Sequence, residues 1–88
     1  MKHGSHPDIV IRLRRAEGHL RSIVTMIENG RGCVELAQQL QAVEQAVGNA
    51  KRELIHDHIN HCFDDLIGET SEDAKVALKD FKKLAKYL

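Results

Sequence analysis

The chain has 88 residues, of which 30% are charged and 3% aromatic, and its formal net charge is zero. This length predicts one domain over residues 1–88, whose thin core would gain from association with a second copy. Zero net charge argues against a general polyanion binder, and so few aromatic side chains exclude a stacking platform for single-stranded nucleic acid. The basic residues are concentrated early: residues 1–52 hold eight Lys/Arg and five Asp/Glu, and residues 53–88 hold five and eight.

Membrane and secretory signals are missing from the sequence. No apolar run reaches membrane-spanning length, and the first residues lack a signal-peptide pattern. We therefore expect a cytoplasmic protein without a membrane partner. In a reducing compartment, two cysteines are more typical of free thiols or metal ligands than of a structural disulfide.

Hydrophobic periodicity predicts three helices and no strand. Pro7 suits the first turn of a helix, because its missing N–H would have no intrahelical partner there. Gly30 is a typical residue for ending the first helix. The expected flexible arm and the three helices cover residues 1–6, 7–29, 34–67 and 72–87.

Cys33, His58 and Cys62 are the candidate metal ligands. On a helix, His58 and Cys62 project from one face, and a thiolate beside an imidazole suits Cu(I) or Zn(II). Cys33 precedes His58 by 25 residues, or about 37 Å along a continuous helix, so either this helix breaks or a second subunit contributes to the site. A second copy packed antiparallel, crossing near the small residues 46–50, would complete two equivalent sites. The plainer alternative is a pair of small buried thiols and a surface histidine.

Further histidines offer additional ligands. His61 lies within about a turn of His58. His3 and His6 belong to the expected arm, which could fold over a three-ligand site and make it four-coordinate. A solvated imidazole is the ordinary alternative for each of these three residues.

Basic residues on the first two helices form a candidate surface for duplex DNA. Arginine holds phosphate through two hydrogen bonds, and two-fold symmetry would double the patch. A solvated charged face is the ordinary alternative, and no helix-turn-helix spacing is visible. The candidate DNA contacts are Arg12, Arg14, Arg15, Arg21, Lys51 and Arg52.

Catalytic motifs are not found in the sequence. It contains no Gly-rich phosphate loop, no nucleophile elbow and no His-Glu-x-x-His pair. We therefore expect a protein that is not an enzyme and has no small-molecule substrate.

Four segments together resemble the copper-sensitive operon repressors, the CsoR/RcnR/FrmR family of bacterial sensors. The segments are RLRRAEGHLRSI over residues 12–23, Cys33, QLQAV over residues 39–43, and the His58-x3-Cys62 pair. The resemblance extends over nearly the whole chain. The Cys-His-Cys set is similar to the copper-sensing subtype, whereas nickel and cobalt sensors carry histidine at the last position.

The resemblance implies an all-α protomer with a long central helix and an antiparallel dimer with a four-helix-bundle-like core, assembled into a dimer of dimers. It implies a repressor that binds operator DNA in the apo form. Release would follow when Cys33 of one subunit and His58 and Cys62 of its mate hold Cu(I) in trigonal geometry. The alternatives are a Ni(II), Co(II) or Zn(II) sensor, a persulfide sensor bridging the two thiols, or a cytosolic copper buffer without DNA binding.

Three positions depart from the family pattern. Arginine is usual where this chain has Glu44, a residue that would repel phosphate if it faced DNA. Copper sensors also often place a tyrosine and a glutamate around the ligands, where this chain has Gly32 and Leu78. Because such neighbours orient metal ligands, we expect a different arrangement around this site.

Overall fold

The computed structural model describes residues 6–68 and 71–88, without the side chains of residues 62–68, 71 and 73. It contains three helices, α1 (His6–Glu28), α2 (Cys33–Gly68) and α3 (Ser71–Ala85). The all-α expectation is confirmed, and no strand occurs among the described residues. Each helix starts and ends within two residues of its expected limits. The expected arm is one residue too long, because His6 already belongs to α1; residues 1–5 lie outside the described part.

A glycine-based cap ends α1. Gly30 has a φ of 76°, a left-handed conformation that a side chain would penalise. Its N–H donates to the carbonyl of Ile27 at 3.1 Å, and the N–H of Arg31 donates to Met26 at 3.0 Å. These two bonds form the Schellman motif, which satisfies carbonyls that the end of the helix would otherwise leave open.

Helix α2 is a single uninterrupted element of 36 residues. Its first intrahelical bond runs from the N–H of Leu36 to the carbonyl of Gly32 at 3.0 Å, which places Cys33 in the first turn. No proline interrupts the helix, and Gly48 is accommodated without a break. None of the helices in residues 6–68 and 71–88 has an apolar stretch that could cross a bilayer.

The core is a thin layer in which α2 packs against α1 along one part of its length and against α3 along another. Three α1 side chains seven residues apart face α2, and Ile23 is the most deeply buried, at 1% exposure. Ala50 of α2 is equally buried. The buried apolar side chains in the described part of the chain are Ile9, Ala16, Ile23, Val43, Ala50, Ile55 and Ala77.

The protomer is elongated and flat. Its extents are 59 × 24 × 13 Å, and its radius of gyration is 18.0 Å, against about 12 Å for a compact chain of this length. Its accessible surface of 6686 Å² also exceeds the roughly 5200 Å² typical of a folded monomer of this mass. The protomer therefore leaves an unusually large surface available to partners.

Candidate metal centre and nucleic-acid surface

The buried stripe of α1 separates two flanks of different chemistry. At about 3.6 residues per turn, the residues on either side of the stripe point in opposite directions. One flank is apolar yet 42% to 55% exposed, and its members are Leu13, Leu20, Val24 and Ile27. The other flank is basic, and its members are Arg12, Arg15 and His19.

Helix α2 has a similar division. Leu40, Val47 and Leu54 recur every seven residues and are 42% to 44% exposed, whereas Val43 and Ala50 are buried. The basic flank of α1 and Asn49 of α2 line one cleft, so the apolar flanks of both helices lie together on the other side. We call that surface the apolar face; its members are Leu13, Leu20, Val24, Leu40, Val47 and Leu54.

Two of the predicted ligands lie at opposite ends of the apolar face. Cys33 is exposed and His58 is half-buried, and helical geometry places both on the flank of α2 that carries Val47. Because α2 is unbroken, about 37 Å of helix separates them. Among the described residues, no three His, Cys, Asp or Glu side chains form a metal-binding group within one protomer.

The heptad spacing along α2 defines how a second copy would complete the site. Cys33 and His61 continue the seven-residue series of Leu40, Val47 and Leu54 at its two ends. The series is centred on Val47, so a two-fold axis there brings Cys33 of one copy level with His61 of the other. His58 and Cys62 lie within a turn of that level. The exposed apolar residues and the predicted ligands therefore specify nearly the same antiparallel register.

His58 faces a carboxylate that the sequence pattern did not single out. Its Nε2 lies 3.7 Å from Oδ2 of Asp80 on α3, and the two side chains are 30% and 46% exposed. Leu78, which falls near the position of the family's glutamate, is itself exposed, so the nearby carboxylate comes from two residues later. The sequence does contain a signal for Asp80: it lies three positions after Ala77 and four before Leu84, so it belongs to the apolar stripe by which α3 packs inward.

His6 lies close to His58. Its Nε2 is 3.9 Å from Oδ2 of Asp57, and it lines a cavity of about 350 Å³ together with His58, Asp80 and Lys83. The N-terminal turn of α1 therefore brings a second imidazole to this end of the apolar face. The cavity is bordered by two imidazoles and the carboxylate of Asp80, and a carboxylate at this position can orient the ring of His58.

The remaining predicted ligands are less fully described. His61 is half-buried on α2. Cys62 belongs to α2, one turn beyond His58, but its side chain lies outside the described part of the structure. His3 lies outside the described residues altogether.

The opposite surface of the helix pair is polar and basic. Two contacts join α1 to α2 there: Arg12 donates to Glu53 at 2.5 Å, and the ring of His19 meets Gln39 at 2.5 Å. A shallow cleft of about 300 Å³ lies beside them, and Arg52 donates a hydrogen bond to Asn49 at its edge. We call this surface the basic face; its members are Arg12, Arg15, His19, Asn49 and Arg52.

The six predicted DNA contacts therefore do not share one surface. Arg14 and Arg21 point away from α2, and Arg21 lies 3.6 Å from Glu17. Lys51 is exposed and lies on the apolar flank of α2, although its neighbour Arg52 turns towards the basic face. Arg15 borders the cleft and has no ion pair with any described side chain.

Comparisons with known proteins agree with this architecture. A family model described as metal-sensitive transcriptional repressor matches residues 5–87. The copper-sensing repressor CsoR of Bacillus subtilis (strain 168) is 40% identical over 80 residues, covering 89% of this chain and 79% of CsoR. The copper-sensing repressor RicR of Mycobacterium tuberculosis (strain H37Rv) is 35% identical over 68 residues, covering 75% and 71%.

A solved structure extends the agreement to the fold. The nickel-responsive transcriptional regulator InrS superimposes with a TM-score of 0.84 at 29% identity, over 100% of this chain and 98% of InrS. Both the family model and the CsoR relative cover most of the sequence, and the resemblance carried by the sequence motifs is confirmed. The chain belongs to the family of metal-sensitive transcriptional repressors.

Proposed function

We propose that this protein is a Cu(I)-responsive repressor that binds operator DNA as the apo form and releases it when Cu(I) occupies a site between two subunits. The observation that carries the proposal is the placement of Cys33 and His58 at opposite ends of one unbroken helix. Both lie beside an exposed apolar surface whose heptad series would pair them between antiparallel copies. The copper-sensing relatives CsoR and RicR support the choice of metal.

The donor set favours a soft cation. Cys33 of one copy and His58 and Cys62 of the other supply two thiolates and one imidazole, a combination that suits Cu(I). Cu(I) would link the start of α2 in one subunit to its later part in the other. Asp80, close to Nε2 of His58, would accept a hydrogen bond from the N–H of that nitrogen and leave Nδ1 available to the metal.

A symmetric dimer follows from the same geometry. The apolar face would be buried between two copies, and each copy would contribute Cys33 to one site and His58 and Cys62 to the other. Two such dimers would form the tetramer typical of the family. The basic face lies on the opposite side of the helix pair, so dimerisation would leave it free for DNA.

Metal and DNA would be coupled through the rigid helix pair. Contacts of Arg12 with Glu53 and of His19 with Gln39 join α1 to α2 within the basic face. A shift of α2 on metal binding would therefore also shift Arg15 and Arg52. Linkage requires Cu(I) to bind the DNA-free form more tightly by the same factor that it weakens DNA binding.

A fluorescence-anisotropy titration of labelled operator DNA tests the proposal. The apo protein should bind, and stoichiometric Cu(I) under anaerobic conditions should weaken binding by about 5- to 150-fold, the usual range of allosteric coupling. Cys33→Ser should bind DNA like the wild type but lose the response to Cu(I). Val34→Ala, at a neighbouring and highly exposed position, is the matched control and should respond normally. DNA affinity that stays constant at saturating Cu(I) would overturn the proposal, and tight Cu(I) binding without any DNA binding would indicate a copper buffer.

A second candidate is a nickel, cobalt or zinc sensor, favoured by His6 in the cavity beside His58. The structural neighbour InrS is described as nickel-responsive. In this version, His6 or His61 would complete a four-coordinate site rich in nitrogen. X-ray absorption of the metal-loaded protein distinguishes the two: a three-coordinate, sulfur-rich Cu(I) site unchanged by His6→Ala supports the copper sensor, and a Ni(II) site that loses a nitrogen in His6→Ala supports the alternative.

A further inference from the structure

Glu44 and Lys51 are two charged residues on the apolar flank of α2. We propose that Glu44 of one subunit pairs with Lys51 of the other, twice per dimer, and that these ion pairs fix the antiparallel orientation and register. The proposal rests on the antiparallel homodimer of the proposed function, and it names the contacts that select that dimer.

The positions follow from the heptad series. Glu44 lies four residues after Leu40, and Lys51 lies four residues after Val47, so both project beside the exposed apolar residues. Both are exposed in the protomer. Charged side chains that border an apolar helix seam determine which orientation two helices adopt.

Among the described residues of the protomer, Glu44 and Lys51 have no electrostatic partner. No ion pair joins Glu44 or Lys51 to any side chain in the described part of the chain, in contrast to Arg31 and Glu35 at 2.9 Å. The residues three and four positions before and after each of them are uncharged, so helical spacing offers no partner either. The two charges are therefore available to a second copy.

An antiparallel partner brings the opposite charges together. The ligands require a two-fold axis between residues 46 and 47, which places Glu44 level with residue 49 of the partner. The apolar series requires an axis at Val47, which places Glu44 level with residue 50 of the partner. Lys51 of the partner is then only about 1.5 to 3 Å away along the helix axis. A parallel, in-register pair would instead place Glu44 beside Glu44 and Lys51 beside Lys51, which like charges disfavour.

This pairing gives Glu44 a role that does not depend on DNA. The carboxylate faces the partner subunit, on the surface opposite the basic face, so it does not approach phosphate. It also assigns Lys51 to the dimer interface and leaves Arg15 and Arg52 as the DNA-facing cations.

Sedimentation velocity on the metal-free, DNA-free protein tests the inference. Glu44→Lys and Lys51→Glu should each weaken the homodimer by about tenfold at low salt, because two attractive pairs become repulsive. An equimolar mixture of the two variants should recover wild-type affinity as a heterodimer, since one subunit then carries lysine at both positions and the other carries glutamate at both. The double variant, with the charges exchanged, should also recover it. Glu72→Lys makes the same charge change on α3 and should have no effect.

The outcomes separate this inference from the proposed function. If Glu44→Lys keeps wild-type dimer affinity with native helical content, or if the mixture fails to recover it, the ion pair is wrong while the copper-responsive dimer stands. If the wild type stays monomeric at the concentrations where it binds DNA, both the proposed site between two subunits and the proposed ion pair are wrong. If wild type and variants have the same dimer affinity in 1 M salt, the result would support the ion pair, because screening removes interactions between exposed charges.

Discussion

The two faces of the α1–α2 pair differ in how much of their chemistry one protomer satisfies. On the basic face, Arg12 has Glu53 and His19 has Gln39 as partners across the helix pair. On the apolar face, leucines and valines remain 42% to 52% exposed, and Cys33 and His58 lie too far apart to share an ion. The contacts of the basic face are therefore formed within a single chain, whereas the exposed side chains of the apolar face would be covered only in the proposed dimer.

The largest expected effect comes from a charge at the centre of the apolar face. Val47→Asp should weaken self-association by about 100-fold or more, because two carboxylates would be buried near each other on the two-fold axis. The measurement is the dimer dissociation constant from sedimentation equilibrium. Val76→Asp is the matched control, since Val76 is 62% exposed on α3, and it should dimerise normally. Equal behaviour of both variants would show that the apolar face is not the interface.

A smaller effect is expected at the end of the apolar face, where α3 meets His58. Asp80→Asn should lower Cu(I) affinity by about 10- to 100-fold, the usual cost of removing a carboxylate that orients a metal-bound histidine. A competition titration with a chromophoric Cu(I) chelator measures it. Asp80→Glu should restore part of the affinity, and DNA binding by the apo protein should be unaffected. Unchanged Cu(I) affinity in Asp80→Asn would mean that Asp80 does not support the ligand.

The smallest effect is expected on the basic face. Arg15→Ala should weaken DNA binding by about three- to tenfold. It should also reduce the slope of log affinity against log salt by about one for each subunit whose Arg15 contacts DNA, because each such subunit no longer neutralises a phosphate. Arg21→Ala should do less, because Arg21 lies near Glu17 and points away from the cleft. Anisotropy titrations at several salt concentrations measure both. A greater decrease in affinity for Arg21→Ala than for Arg15→Ala would place the DNA on the outer side of α1 instead.

Much of the fold could be predicted from local signals. Pro7, Gly30 and the apolar periodicity place the three helices to within two residues, because helix ends depend on a few neighbouring backbone groups. The apolar stripes of α1 and α2 were also visible. The sequence could not indicate which members of a stripe the protomer itself would cover. Leu20 and Ile23 look equivalent there, yet Leu20 is 47% exposed and Ile23 is 1% exposed.

The candidate site shows the same limit. The distance argument for Cys33 and His58 needed only the helical rise, so the sequence sufficed. The sequence could not show that Asp80 and His6 lie near His58, because their approach depends on how α3 and the first turn of α1 pack against α2. Lys51 and Arg52 are neighbours in the sequence, but adjacent helical residues point about 100° apart, so their proximity along the chain does not place them on one surface.

The uninterrupted course of α2 restricts how this chain can change in length. Inserting one residue between Cys33 and His58 would rotate the imidazole by about 100° and remove it from the flank that carries the thiol. An insertion of seven residues would return both to one flank while moving them about 10 Å further apart. Insertions and deletions at the centre of the helix would therefore preserve both sites of the proposed dimer only when they come close to whole helical turns, as seven or eleven residues do.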